Sequence, residues 1–240
     1  MTHTITAALL YVSTAITTLT DYNYNSTNMA RAYSIQKIYA TNYETIQWGA
    51  EWKAAFGEPE DNGVWFIWGN SGNAKTRFLI ELAKEISNSR KLFFNSLEQG
   101  NRLTMRNALI DAGVDASNKN FIIGNESFEE MGERLSKHKA PTACVIDTIQ
   151  YCHGLRFQAF TEMVKAHPKV LFIINSQAVG KNPEGKIAEK IKYDADLKIW
   201  VEGFKAISNG RYNPGGEYTI WGEGEAKYWG TKPNNSTNEN

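Results

Sequence analysis

Val64-Trp65-Phe66-Ile67-Trp68-Gly69-Asn70-Ser71-Gly72-Asn73-Ala74-Lys75-Thr76 is the stretch that decides how this chain is read. Its first five residues are continuously apolar, the form of a strand buried on both faces of a parallel sheet. A glycine-bearing turn follows. From Lys75 to Ser87 the apolar residues Phe78, Leu79, Leu82, Ala83 and Ile86 then recur at helical spacing. The turn fits the phosphate-binding pattern G-x-x-x-x-G-K-[ST] at every position but the second glycine, where Ala74 stands. The spacing has a chemical reason. Successive backbone N–H groups from Gly69, Asn70, Ser71, Gly72, Asn73 and Ala74 cradle phosphate oxygens, and the helix N-terminus beyond them adds partial positive charge. Lys75 then reaches the β/γ-phosphates and the Thr76 hydroxyl binds Mg²⁺, so the ligand expected from the motif is Mg·ATP. A methyl group at Ala74 crowds phosphates if that position needs close approach, and is tolerated if the residue already has helical φ/ψ.

Working outward, strands alternate with helices. Leu92-Phe93-Phe94 reads as a strand ending near Glu98, Leu103 to Ala112 as a helix, Phe121-Ile122-Ile123 as a short strand and Phe128 to His138 as a helix. Ala143-Cys144-Val145-Ile146 is a strand stopping at Asp147, Phe157 to Ala166 a helix, and Val170 to Ile174 a strand stopping at Ser176-Gln177. Repeated units of this length imply right-handed crossovers, a mostly parallel sheet, and ligands at the carboxyl ends of its strands. Toward the C-terminus the character changes: Gly210, Pro214, Gly215 and Gly216 separate Lys198-Ile199-Trp200-Val201-Glu202 from Glu217-Tyr218-Thr219-Ile220-Trp221. That is turn chemistry, so an antiparallel hairpin is expected to close the sheet.

Two carboxylates join the loop. Asp147 ends an apolar strand, where it can hold Mg²⁺ or its waters. Glu98 ends the neighbouring run, where it can polarise an attacking water, or serve only as an exposed strand-end charge.

These residues carry a family resemblance. Asn95-Ser96-Leu97-Glu98, Val145-Ile146-Asp147-Thr148-Ile149-Gln150, Asn175-Ser176-Gln177, Tyr193-Asp194-Ala195-Asp196, and Lys205 followed by Arg211-Tyr212-Asn213-Pro214-Gly215-Gly216 occur in the order seen in RecA-like P-loop ATPases. From about Trp48 to Trp229 the chain resembles the ATPase domain of DnaB-type helicases and the RadA-type recombination proteins. It is also similar to short AAA-type ATPases carried by phages and mobile elements. The resemblance implies that Glu98 is the catalytic base, Asp147 the metal carboxylate, and Gln177 the group that senses the γ-phosphate. It implies that Lys205 and Arg211 reach into the ATP of the next subunit of a homo-oligomeric ring or filament, and that the protein acts on DNA, single-stranded by preference, in replication, recombination or repair. A nucleotide-dependent adaptor with little hydrolysis is the alternative function.

Composition sets the remaining bounds. The 240 residues are 42% hydrophobic and 22% charged, with 26 basic and 26 acidic residues, so a disordered or disulfide-knotted chain is excluded and net charge says nothing about partners. Lys181, Lys186, Lys190 and Lys192 form a local basic excess that can neutralise phosphates, with Glu184 and Glu189 interleaved. Core packing is favoured over base stacking for the seven tryptophans, and Trp48, Trp52 and Phe56 are spaced as one helix. Cys144 and Cys152 read as free thiols of a cytoplasmic protein, and neither they nor the four histidines have zinc-site spacing. The low-charge residues 1–28 are expected to be a poorly ordered arm or an upstream extension of the reading frame. They match neither a signal peptide nor a membrane span, and no membrane partner is expected. A helical lead-in is expected over 29–60, the ATPase domain over 61–230, and a frayed polar tail over 231–240.

Overall fold

The computed structural model describes residues 32–230; the arm expected over 1–28 and the tail expected over 231–240 lie outside them. The chain divides between Tyr43 and Glu44 into two units. In the first, a short helix α1 (Ile35–Tyr39) is capped by Ser34, whose hydroxyl accepts from the Lys37 N–H.

The second unit is an α/β layer structure. Its elements in order are α2 (Ala50–Phe56), β1 (Gly63–Gly69), α3 (Lys75–Ser87), β2 (Leu92–Ser96), α4 (Leu103–Asp111), β3 (Phe121–Gly124), α5 (Phe128–Leu135) and β4 (Ala143–Asp147). A 3₁₀ turn (Ile149–Tyr151), α6 (Phe157–Ala166), β5 (Leu171–Val179), β6 (Asn182–Pro183), α7 (Lys186–Asp194), β7 (Leu197–Glu202), β8 (Lys205–Ser208), β9 (Glu217–Thr219) and α8 (Gly222–Trp229) complete it. The sheet order is β3-β2-β4-β5-β1-β7-β8-β9, with β6 paired to β5. From β3 through β7 every pair is parallel, whereas β7/β8, β8/β9 and β5/β6 are antiparallel.

The apolar run of β1 has its physical explanation in two cores. Trp65 and Ile67 face a cluster with α2 and α3, while Val64, Phe66 and Trp68 face a second cluster with α5, α6 and α7. Because successive side chains point to opposite faces, a strand covered on both sides has no polar positions left. The α2 side is aromatic: Trp52 stacks on Tyr218 at 4.4 Å between ring centroids, with Trp48, Phe56 and Phe78 around them. Trp52, Trp65, Trp68 and Trp200 are buried, so the packing reading holds for these four. Trp48 precedes its helix, which starts after Gly49, yet still stacks on Trp52.

The C-terminal edge is closed by antiparallel strands as expected, with two details corrected. The run from Lys198 does not pair with the run from Glu217; β8 lies between them, and the Gly210–Gly216 cluster joins β8 to β9. The β7–β8 turn has no turn signature in the sequence, because one of its positive-φ residues, Phe204 (φ 64°), is not a turn former, and Gly203 (φ 53°) stands alone. Trp221 is not a strand residue but precedes α8, a helix hidden by Gly222 and Gly224. Among the described residues no helix is long and apolar enough to cross a membrane.

Candidate functional site

Four parallel strands bring their carboxyl ends together around the loop that follows β1. Gly69 is fixed by sheet packing, since a Cβ there would come within 2.2 Å of the Val201 carbonyl oxygen on β7. Gly72 answers a different demand. Its φ is +80°, and a Cβ would meet no protein atom within 4 Å, so its backbone faces open space beside the loop.

Ala74 does not have the right-handed helical conformation that would make alanine innocuous. It sits at φ 65°, ψ 27°, in the left-handed region, where a side chain costs about 1–2 kcal/mol. Such a conformation persists when its surroundings over-determine it. Here Ala74 packs against the α3-side core, and Asn73 beside it is pinned. The Asn73 Oδ1 accepts from the Gly203 N–H at 2.7 Å, while its Nδ2 donates to the Asn70 and Ser71 carbonyls at 3.3 Å. The Asn70 side chain donates to the Gly180 carbonyl at 3.0 Å. Loop asparagines thus strap it to the β5–β6 and β7–β8 turns.

A cavity of about 390 Å³ opens over the loop, lined by Ser71, Gly72, Ala74, Lys75, Thr76, Arg77, Glu98, Asn175, Gln177 and Ala178. Lys75 opens α3, and its Nζ donates to the Asn70 carbonyl at 2.9 Å. Burial pushes the Lys75 ammonium below its ordinary pKa, against the opposing pull of Glu98 and Asp147. Glu98 is exposed at the cavity, and its backbone N–H donates to the Asp147 carbonyl at 3.1 Å, so the turn after β2 is tied to the end of β4.

Asp147 is 1% exposed. Burial raises its pKa to about 6; Glu98 adds to the rise, while the Asn175 hydrogen bond and Lys75 oppose it. The Asn175 Nδ2 donates to Asp147 Oδ1 at 2.7 Å, but Asp147 Oδ2 and Asn175 Oδ1 are buried with no partner. Orphaned oxygens at a cavity that Thr76 and Asn175 both line fit Mg²⁺, which takes one carboxylate and few further protein ligands, the rest coming from water and phosphate. Among the described residues no group of three or more His, Cys, Asp or Glu could hold a metal on its own, and Cys144 and Cys152 are free thiols.

The structure therefore gathers Lys75, Thr76, Glu98 and Gln177 at one cavity with Asp147 close beneath. Lys205 and Arg211 are not among the residues lining it. The Lys205 Nζ lies 2.6 Å from Glu217 and 3.2 Å from Glu225, whereas Arg211 is exposed on the β8–β9 connection. Asn175 and Gln150 were part of motifs legible in sequence, but a neutral amide at a strand end carries no charge signal, so their place at the site emerges only from the fold.

No family model matches the chain, and no curated protein matches its sequence. Solved structures do match. A KaiC-like protein from the hyperthermophilic archaeon Pyrococcus horikoshii superposes with a TM-score of 0.59 at 16% identity, over 74% of this chain and 94% of the other. The flagellar accessory protein FlaH from Methanocaldococcus jannaschii gives 0.53 at 12% identity over 77% and 90%. A further solved ATPase domain gives 0.52 at 16% identity over 76% and 90%. The fold is that of RecA-like P-loop ATPase domains, as the sequence resemblance implied.

Proposed function

We propose that the chain binds Mg·ATP at Gly69–Thr76 and hydrolyses it to drive work on DNA. The observation that carries this reading is one cavity lined together by Lys75, Thr76, Glu98 and Gln177, with the orphaned Asp147 Oδ2 buried next to it. Backbone N–H groups of the strapped loop bind phosphate oxygens, and Lys75 exchanges its bond to the Asn70 carbonyl for the terminal phosphates. Thr76 and Asp147 are the residues that would hold the magnesium ion. That ion, when bound, neutralises charge on the phosphate oxygens. Glu98 accepts the proton of the attacking water, and Gln177 contacts the terminal phosphate from the end of β5.

The DNA part of the proposal rests on Lys181 and Lys186, which are exposed around the β5–β6 hairpin and the start of α7. Lys192 is directed over the Trp68 ring at 4.0 Å and Lys190 over Phe157 at 5.6 Å, so these two are partly engaged within the chain. Assembly into a ring or filament, with Arg211 completing a neighbour's site, is proposed on the family resemblance. The adaptor reading is favoured by one observation, the double ion pairing of Lys205. Turnover measured with and without single-stranded DNA tests the choice. The motor reading predicts stimulation by DNA, and a fall of about 10²–10⁴ in Glu98→Gln at unchanged ATP affinity. Turnover indifferent to both would leave the adaptor.

A further inference from the structure

We infer that Gln150 is a positioning residue, one that fixes Gln177 at the loop cavity and joins it to the turn leading into α7. The inference rests on the Mg·ATP reading for its catalytic consequence, and on hydrogen bonding alone for its structural content.

Gln150 lies in the 3₁₀ turn just beyond Asp147. Its side-chain amide has two acceptor lone pairs and two N–H donors; both donors and one lone pair are used, and the single proton of the Thr148 hydroxyl is shared between Oε1 and the Asn175 carbonyl. Oε1 accepts from the Gln177 backbone N–H at 3.2 Å and lies 2.8 Å from the Thr148 hydroxyl. Nε2 donates to the Ser176 hydroxyl oxygen and to the Glu184 carbonyl, each at 2.8 Å. The network closes on Gln177, whose carbonyl accepts from the Ser176 hydroxyl at 2.8 Å and from the Glu184 N–H at 2.9 Å. Both backbone polar groups of Gln177 are therefore committed to one cluster, and its side chain is left to line the cavity.

This arrangement has a directional consequence. Thr148, Asn175 and Ser176 are buried, so a hydrogen bond broken here is not replaced by water at little cost. A shift of Gln177 in response to a group in the cavity must carry Gln150 with it. Gln150 in turn holds the carbonyl of Glu184, two residues before α7 begins. Asp147, through Asn175 and Thr148, is thus connected to Gln150, Gln177 and Glu184, a short path from that carboxylate to the lysine-bearing hairpin and helix. A side chain one methylene longer or shorter, or one lacking either half of the amide, cannot make these contacts together.

The test compares Gln150→Leu and Gln150→Glu with the wild-type chain. In Gln150→Leu, exchange of the Gln177 and Glu184 amide hydrogens should quicken by about tenfold, the consequence of losing one or two hydrogen bonds. The amides of Val145 and Ile173 should keep their protection, which shows that the sheet is intact. Mg·ATP affinity should stay within about threefold while turnover falls about tenfold, a loss in the chemical step and not in binding. Gln150→Glu keeps the acceptor for Gln177 and loses both donors, one of which returns when the carboxyl is protonated. Its turnover relative to wild type should therefore rise as pH falls, whereas that of Gln150→Leu should not follow it. Unchanged exchange at Gln177 and Glu184, or quickening there matched by Val145 and Ile173, would overturn the assignment. A wild-type chain with no turnover would instead refute the hydrolysis reading, and the exchange measurement would still decide the role of Gln150.

Discussion

Asp147→Asn is expected to stabilise the magnesium-free protein while removing its magnesium response. The Asp147 carboxyl is 1% exposed, and burial, with Glu98 adding, raises its pKa from 3.8 to about 6. A raised folded-state pKa means that the folded chain holds the proton more tightly than the unfolded one. The stability this group contributes is therefore full below the unfolded value and is lost as pH rises through about 6. At neutral pH the difference between 3.8 and about 6 corresponds to about 3 kcal/mol. Asparagine has the same shape and no charge, and its carbonyl oxygen can still accept the Asn175 N–H. Its own N–H group takes the place of the unpartnered Oδ2, and leaving a buried donor unsatisfied costs about 1 kcal/mol at the low end. The net gain is then about 2 kcal/mol, or about 4–8 °C in melting temperature for a chain of this size. Thermal unfolding in the presence of a chelator, followed across pH, is the assay. The gap between variant and wild type should open as pH rises through about 6 and close in acid. A variant less stable than wild type at neutral pH, or a gap that does not change with pH, would refute the reasoning.

Two other perturbations test the loop and its proposed completion by a neighbour. Ala74→Gly removes the cost of the left-handed conformation at φ 65° and adds about 0.5–1 kcal/mol of chain entropy, so the melting temperature should rise slightly and turnover should not fall. Destabilisation by more than about 1 kcal/mol would show that the methyl contact with the core outweighs the strain. Arg211→Ala and Lys75→Ala chains should each be inactive, with activity returning on mixing if Arg211 acts across an interface. Sedimentation showing intact assembly without restored activity would exclude that role.

Legibility of the fold in the sequence follows burial and local pattern. β1 and α3 stood out because a doubly covered strand leaves an unbroken apolar run and the helix beyond it keeps one face in the core. The positions of Lys75 and Thr76 at a helix start and of Asp147 at a strand end are legible because local pattern alone marks those element boundaries. β8 and α8 were not, since the Gly203-Phe204 turn and the glycines of α8 lack ordinary turn and helix chemistry. The left-handed conformation of Ala74 has no local signal: it stands beside Asn73, which bonds to Gly203, 130 residues away. The amide network of Gln150 is likewise made by tertiary contacts, and no local signal precedes it.

The central claim is that Gly69–Thr76 binds the phosphates of Mg·ATP, and calorimetric titration of the wild-type and Lys75→Ala chains tests it most directly. Lys75 is partly buried and feels the charges of Glu98 and Asp147, so its replacement removes a cation placed near both carboxylates. The account predicts saturable binding by the wild-type chain and affinity at least about tenfold lower in a folded Lys75→Ala chain, the loss of one charge-assisted contact. Equal affinity in the two chains, or no binding by the wild type, would contradict it.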